Sequence, residues 1–183
     1  MSHGTVLGSI AAALLIAGLT ALPQPAAAHW DSTVERDDFG SDHVGIAATM
    51  SDARGLVLRC ENKSEPRLIF GTRELWDASL ALLPATLLVK VDDGEPWSRQ
   101  AVLDEYPMMV GLGQQSGTRV VVTGDDLFPV LEAIAKGKSR IAIAVQIGDK
   151  RFENTRFSAR GSRAAFKRIW EFCGSDSNIK PNL

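Results

Sequence analysis

Apolar positions keep a two-residue rhythm through most of this chain and switch to a helical rhythm only twice. Residues 44–50 form a short apolar stretch, and the polar segment 51–55 behind it reads as a turn. The next run, Leu56-Val57-Leu58-Arg59-Cys60, alternates and puts Leu56, Leu58 and Cys60 on one face of a strand. Leu68-Ile69-Phe70 begins another strand after a polar break at 61–66. Residues 76–84 are ambiguous, because Leu80, Leu82 and Leu83 suit either a short helix or a loop laid on the core. Residues 86–91 read as a strand closed by Asp92-Asp93-Gly94, a hairpin signal, with 97–103 returning beside it. Residues 108–112 and 119–123 predict two further strands around a Gly/Gln/Ser turn.

The period changes at Asp125. Leu127, Val130, Leu131 and Ile134 fall at helical spacing, with Asp125 placed to cap the helix, Pro129 in its first turn and Gly137 to end it. Residues 140–147 return to alternation, with Ile141, Ile143, Val145 and Ile147 on one face. Gly148-Asp149-Lys150 turns the chain into a strand over 152–160 whose large apolar residues are Phe152 and Phe157. Ser162 is positioned to cap a last helix with the stripe Ala165, Phe166, Ile169, Trp170 and Cys173, stopped by Gly174. The fold class predicted is α+β: a β-rich, antiparallel, sandwich-like domain of seven to nine strands with two helices.

Ahead of this domain lies a different kind of segment. Residues 7–22 are apolar apart from small residues and Thr20, Pro23 and Pro25 follow, and Ala26-Ala27-Ala28 supplies small residues for cleavage. That pattern predicts a secretory signal peptide over 1–28, removed after Ala28, although its first residues carry no Lys or Arg. No Arg-Arg pair supports a twin-arginine route. The expected location is periplasmic or secreted, with no integral membrane span after cleavage. The domain would occupy 29–174, and 175–183 reads as a disordered polar tail.

Outside the cytosol two cysteines gain meaning. Cys60 and Cys173 are expected to form one disulfide closing a loop of about 110 residues, worth about 4–5 kcal/mol if it acts through chain entropy. Two buried, unpaired thiols are the other reading. The formal net charge of −2 lacks the basic footprint that nucleic-acid binding needs, so no nucleic-acid partner is expected.

Spaced residues give the chain a family likeness. Trp30 precedes the acidic cluster Asp37-Asp38-Phe39 and Asp42, and Leu-Val-Leu-Arg-Cys follows at 56–60. Then come Asp92-Asp93-Gly94 with Trp97-Ser98, and a close running from Phe157 through Gly161 to Cys173. This order resembles the C-terminal domain of type VI secretion-associated VasI/TagO-like periplasmic proteins and their free-standing relatives. The resemblance implies an exported β-sandwich-like domain with one disulfide and no established active site. Two features depart from that pattern: there is no additional cysteine-bearing segment, and Gly174 stands where an aromatic is usual.

Candidate chemistry is sparse. Gly113-Gln114-Gln115-Ser116-Gly117 has the wrong spacing for a nucleophile elbow, and beyond residue 28 the only histidines are His29 and His43. Gly111-Leu112-Gly113 lacks the third glycine of a dinucleotide loop. No catalytic residues and no cofactor are therefore assigned. A mature amino terminus at His29 would pair amine with imidazole, and His43 could add a third nitrogen for Cu(II). An alternative Ca²⁺ set of Asp37, Asp38 and Asp42 has no recognised spacing.

Charge is the stronger clue. Residues 150–168 carry seven basic side chains against one acid, Glu153, while acids crowd 31–42 and 92–105. Arg151, Arg156, Arg160, Arg163 and Lys167 are the expected partner-binding residues, with a protein or an anionic envelope polymer as partner. Solvated strand and helix faces would give the same composition. Trp76 and Trp97 suit either such a surface or anchoring to the core. The sequence thus predicts an exported accessory or binding protein, with a copper or small-ligand binder and an envelope hydrolase as alternatives.

Overall fold

The computed structural model describes residues 29–36, 43–52, 54–61, 65–110, 113–124 and 127–173. Nine strands are present there: β1 (Asp31–Arg36), β2 (His43–Ser51), β3 (Arg54–Glu61), β4 (Arg67–Leu75), β5 (Ala85–Val91), β6 (Trp97–Val110), β7 (Gly113–Thr123), β8 (Arg140–Ile147) and β9 (Lys150–Ser158). Helix α1 (Phe128–Lys136) joins β7 to β8, and α2 (Ser162–Cys173) follows β9. Every pairing is antiparallel, and the strands form one curled sheet in the order β1-β2-β3-β4-β7-β6-β5-β8-β9. The α+β, β-rich architecture is therefore as the periodicity predicts. The signal segment 1–28, the acidic residues Asp37, Asp38 and Asp42, Asp125, Gly174 and the tail lie outside the described residues.

The sheet turns because β6 serves two neighbours. Residues 97–101 pair with β5, and residues 102–110 pair with β7. The sequence suggests two separate strands here, and the structure makes them one. Pro107 survives inside β6 because β5 ends its pairing at Ala101, so no neighbour on that side needs its missing N–H. The inner face then collects Leu56, Leu58, Leu68, Phe70, Leu87, Val89, Val120, Ile141, Ile143 and Val145, all essentially sealed from solvent. Strand β1 is a correction to the sequence reading, which shows no strand there. Asp-Ser-Thr-Val-Glu-Arg holds one apolar residue, and only pairing along β2 makes it extended.

Both helices cover this inner face. Val130, Leu131, Ile134 and Ala135 are the buried side of α1, and Ala165, Phe166, Ile169 and Trp170 that of α2. A side chain at Gly45 in β2 would meet the Phe172 ring at 2.8 Å, so glycine lets α2 approach the strand. Gly137 does end α1, but for a reason of packing. Its φ of −58° is ordinary, while a Cβ would fall 2.8 Å from Val91 and 2.9 Å from Ala159. The sequence reading of Ser162 needs correcting. It is the first residue of α2, fully buried, and its hydroxyl bonds the Ile134 carbonyl at 2.7 Å and the Ala159 carbonyl at 2.8 Å. It fastens α2 to the end of α1 instead of capping its own helix.

The two sheet edges, β1 and β9, are drawn together by a side chain. Trp30 is buried, and its Nε1 donates to the Ser158 carbonyl at 2.9 Å, while its ring meets Phe166 edge-on at 5.0 Å. Arg168 of α2 adds a bond to the Ser32 carbonyl at 3.2 Å.

Asp92 does more than turn a hairpin. Its carboxylate accepts from the backbone N–H groups of Lys138 (2.8 Å), Ser139 (3.0 Å) and Arg140 (2.9 Å) and from the Ser139 hydroxyl (2.6 Å). These donors, the Lys138 amide foremost, hold the Asp92 carboxyl far below the usual carboxylate range. The stabilisation is therefore present above the unfolded-chain value near pH 4 and erodes as acid protonates the group. Replacing Asp92 by Ala should cost about 1 kcal/mol at pH 7, the size of a lost cap. Urea melts should show the gap between wild type and variant narrowing below pH 4. Gly137→Ala should cost about 1–3 kcal/mol by overpacking, read as a lower urea midpoint at unchanged slope.

Candidate functional site

Helix α2 decides where the expected basic residues go. With residues 165, 166, 169 and 170 turned inward, the 3.6-residue period leaves Arg163, Lys167, Arg168 and Glu171 outward. Arg160 is exposed in the turn just before the helix, its N–H bonded to the Ser158 hydroxyl at 3.1 Å. Arg160, Arg163 and Lys167 thus share the surface around the start of α2. Neither Arg160 nor Arg163 has a side-chain ion pair among the described residues. Lys167 reaches Glu171 at 3.9 Å, with both side chains about two-thirds exposed, a geometry of little energetic weight.

The remaining two predicted cations fall elsewhere. Arg156 is exposed on β9, opposite Ala142, beside the turn between β2 and β3. Arg151 lies at the start of β9, paired with Gln146, and its side chain is outside the described residues. The linear run of charge is therefore split by the fold.

Electrostatics sharpen the α2 surface. The first turn of the helix contains no acidic residue, so its amide dipoles and Arg163 add positive potential to positive potential. That placement opposes the usual helix preference, which puts acids first and bases last. Four of the five acids of residues 92–105, Asp92, Asp93, Asp104 and Glu105, make contacts within the domain. Asp93 pairs with Arg140 at 2.9 Å, Asp104 accepts from Arg119 Nε at 2.9 Å, and Glu105 accepts from the Ser116 hydroxyl.

An open groove of about 670 Å³ runs along the β6–β7 hairpin, lined by Asp104, Glu105, Tyr106, Gln114 and Ser116 among others. Its two carboxylates do not form an acid–base pair, because successive strand residues point to opposite faces. Tyr106 lies over Gly117 and donates from its hydroxyl to the Thr72 carbonyl at 2.8 Å, an anchoring role. Ser116 has a carboxylate neighbour, Glu105, and no histidine partner among the described residues.

His29 and His43, the ligands of the alternative copper reading, are not brought together. His43 pairs with Arg36 at one end of β1, whereas His29 precedes the other end and lies against Gly161. The five strand steps between those ends span roughly 17 Å. His43 instead stacks obliquely with Phe172, ring centroids 6.0 Å apart. Among the described residues no group of three or more His, Cys, Asp or Glu side chains is placed to hold a metal ion. The calcium candidates Asp37, Asp38 and Asp42 lie outside those residues. Trp76 and Trp97 are half-buried and packed against the core, with Arg99 5.6 Å above the Trp97 ring.

Cys60 is buried in β3 opposite Gly45, directly beneath the last turn of α2. No free cysteine occurs among the described residues, and the Cys173 side chain lies outside them. No helix among them is long and apolar enough to cross a membrane. Comparison of the chain with protein-family models, with curated proteins and with solved structures finds no match. The likeness to VasI/TagO-like proteins accordingly rests on the spaced residues alone.

Proposed function

We propose that this chain is an exported binding protein, without a catalytic site, that engages an anionic macromolecule of the cell envelope through the start of α2. The observation that carries this reading is the placement of Arg160, Arg163 and Lys167. Arg160 and Arg163 are exposed at the positive end of a helix, where their charges work against helix stability by a few tenths of a kcal/mol each, and Lys167 is exposed one turn further along the same side. A surface arranged for stability alone would carry acids there. A polyanion meeting it would be steered by long-range attraction and released by salt.

The same reading includes cleavage after Ala28 and a Cys60–Cys173 bridge. The leader pattern supports the first. The second is supported by the burial of Cys60 under the end of the helix that carries Cys173. A bridge there would hold the binding helix on β3 after export, in a compartment where disulfides persist.

The test is a triple reversal, Arg160→Glu, Arg163→Glu and Lys167→Glu, assayed by co-sedimentation with washed cell envelopes. Wild-type protein should bind at low salt and dissociate as salt rises past about 0.15 M, where the screening length is ~8 Å. The variant should lose binding at least tenfold while its melting temperature stays equal or rises, since acids now face the helix N-terminus. Binding retained by the variant would reject this surface as the site.

A further inference from the structure

Strands β1, β2, β3, β4, β7 and the second part of β6 lie on one side of the turn in the sheet. Their inward side chains, Leu56, Leu58, Leu68, Phe70 and Val120 among them, are sealed beneath the two helices. The alternate residues make an outer face. A sheet with one face in water normally carries polar residues there. The registers instead set Ala48, Val57, Ile69, Val121 and Val102 side by side, one from each of five successive strands. Asp31 of β1 closes this apolar row at one end. At the other end Val102 is 68% exposed, one residue past the point where β5 stops pairing.

The two flanks of the row differ. On one side stand Ile46, Arg59, Arg67 and Thr123, and on the other Met50, Gly55, Gly71, Arg119 and Asp104. The outward facing pairs of β3 and β4 therefore run Arg59–Arg67, Val57–Ile69 and Gly55–Gly71. The Met50 sulfur lies over Gly55, 3.1 Å from where a Cβ would stand, and the Tyr106 hydroxyl lies over Gly71 at 3.5 Å. Arg59 pairs with Glu61 and Arg119 with Asp104, so most of the flanking charge is already balanced. The six strand segments hold six arginines and no lysine. Interfaces favour arginine over lysine in this way, together with methionine and tyrosine, around an apolar centre.

We infer that this outer face pairs with the same face of a second copy of the chain, about a two-fold axis running along the apolar row. Rotation about that axis lays the row on itself and exchanges its flanks, as an isologous contact requires. Arg59 and Arg67 of one copy then come down over Gly55 and Gly71 of the other, beside the Met50 sulfur and the Tyr106 side chain. Those are surfaces that suit a guanidinium on an apolar stem. Ile46 meets Met50, and the Arg59–Arg67 pairs of the two copies fall on opposite sides of the axis. Six strands about 4.8 Å apart, with four outward residues each about 6.8 Å apart, offer roughly 800 Å². That matches the area each partner gives up in an interface of standard size. Because α2 sits on the inner side of β1, β2 and β3, the dimer leaves both α2 surfaces in solvent. This inference and the envelope reading can therefore fail separately.

The test is sedimentation equilibrium of the protein purified from its native host, between ~1 and ~100 μM. A monomer–dimer equilibrium is expected. Val102 is exposed, so Val102→Glu and Val102→Lys should leave the fold intact, checked by an unchanged circular dichroism spectrum. Each sets two like charges across the axis and should weaken the dimer at least tenfold, and an equimolar mixture of the two should pair more tightly than either alone. Ile69→Glu, at the centre of the row, should leave only monomer. A monomer at every concentration would overturn the proposal, as would a dimer that Val102→Glu and Ile69→Glu leave unchanged. So would a monomer whose sedimentation with washed envelopes falls in Val102→Glu, which would make an envelope component the occupant of this face.

Discussion

The seating of α2 against β1, β2 and β3 is the contact on which the rest of this structure depends. A nine-stranded curled sheet has two edges, and here β1 offers almost no apolar surface of its own. Trp30 at its start fills that deficit by packing on Phe166 and bonding the Ser158 carbonyl, so one residue joins helix, first strand and last strand. Gly45 admits the ring of Phe172, and Ser162 ties the start of the helix to the end of α1. Remove the helix and β1 becomes an unsupported edge, the kind of strand that invites pairing with other chains.

That seating also fixes what the surface can do. Once one side of α2 is committed to the core, its charges have only one direction to face. Several acids are engaged elsewhere in the domain: Asp92 organises the entry to β8, Asp93 meets Arg140, and Asp104 meets Arg119. The exposed charges of α2 sit on an element whose opposite side is packed into the core.

Much of the fold was legible because burial on one face leaves a two-residue signature, as in Leu56, Leu58 and Cys60 or Ile141, Ile143 and Val145. Elements whose reason lies elsewhere were not legible. Strand β1 has one apolar residue in six, and β6 contains a proline whose tolerance depends on where β5 stops. Ser162 looked like a cap because its partners, Ile134 and Ala159, were not visible in a local window. The role of Asp92 was hidden for the same reason, since its donors lie some 46 to 48 positions away. The run of charge along the chain is split between two places by the fold. Arg160, Arg163 and Lys167 belong to the helix surface, and Arg156 to β9 beside the turn between β2 and β3.

Export and a Cys60–Cys173 bridge that fastens α2 to β3 are proposed together. Intact mass of the protein made by its native host, with and without reduction and alkylation, tests this most directly. The predicted result is a chain beginning at His29 in which two thiols become alkylated only after reduction. A mass that retains Met1, or two thiols alkylated without reductant, would contradict it.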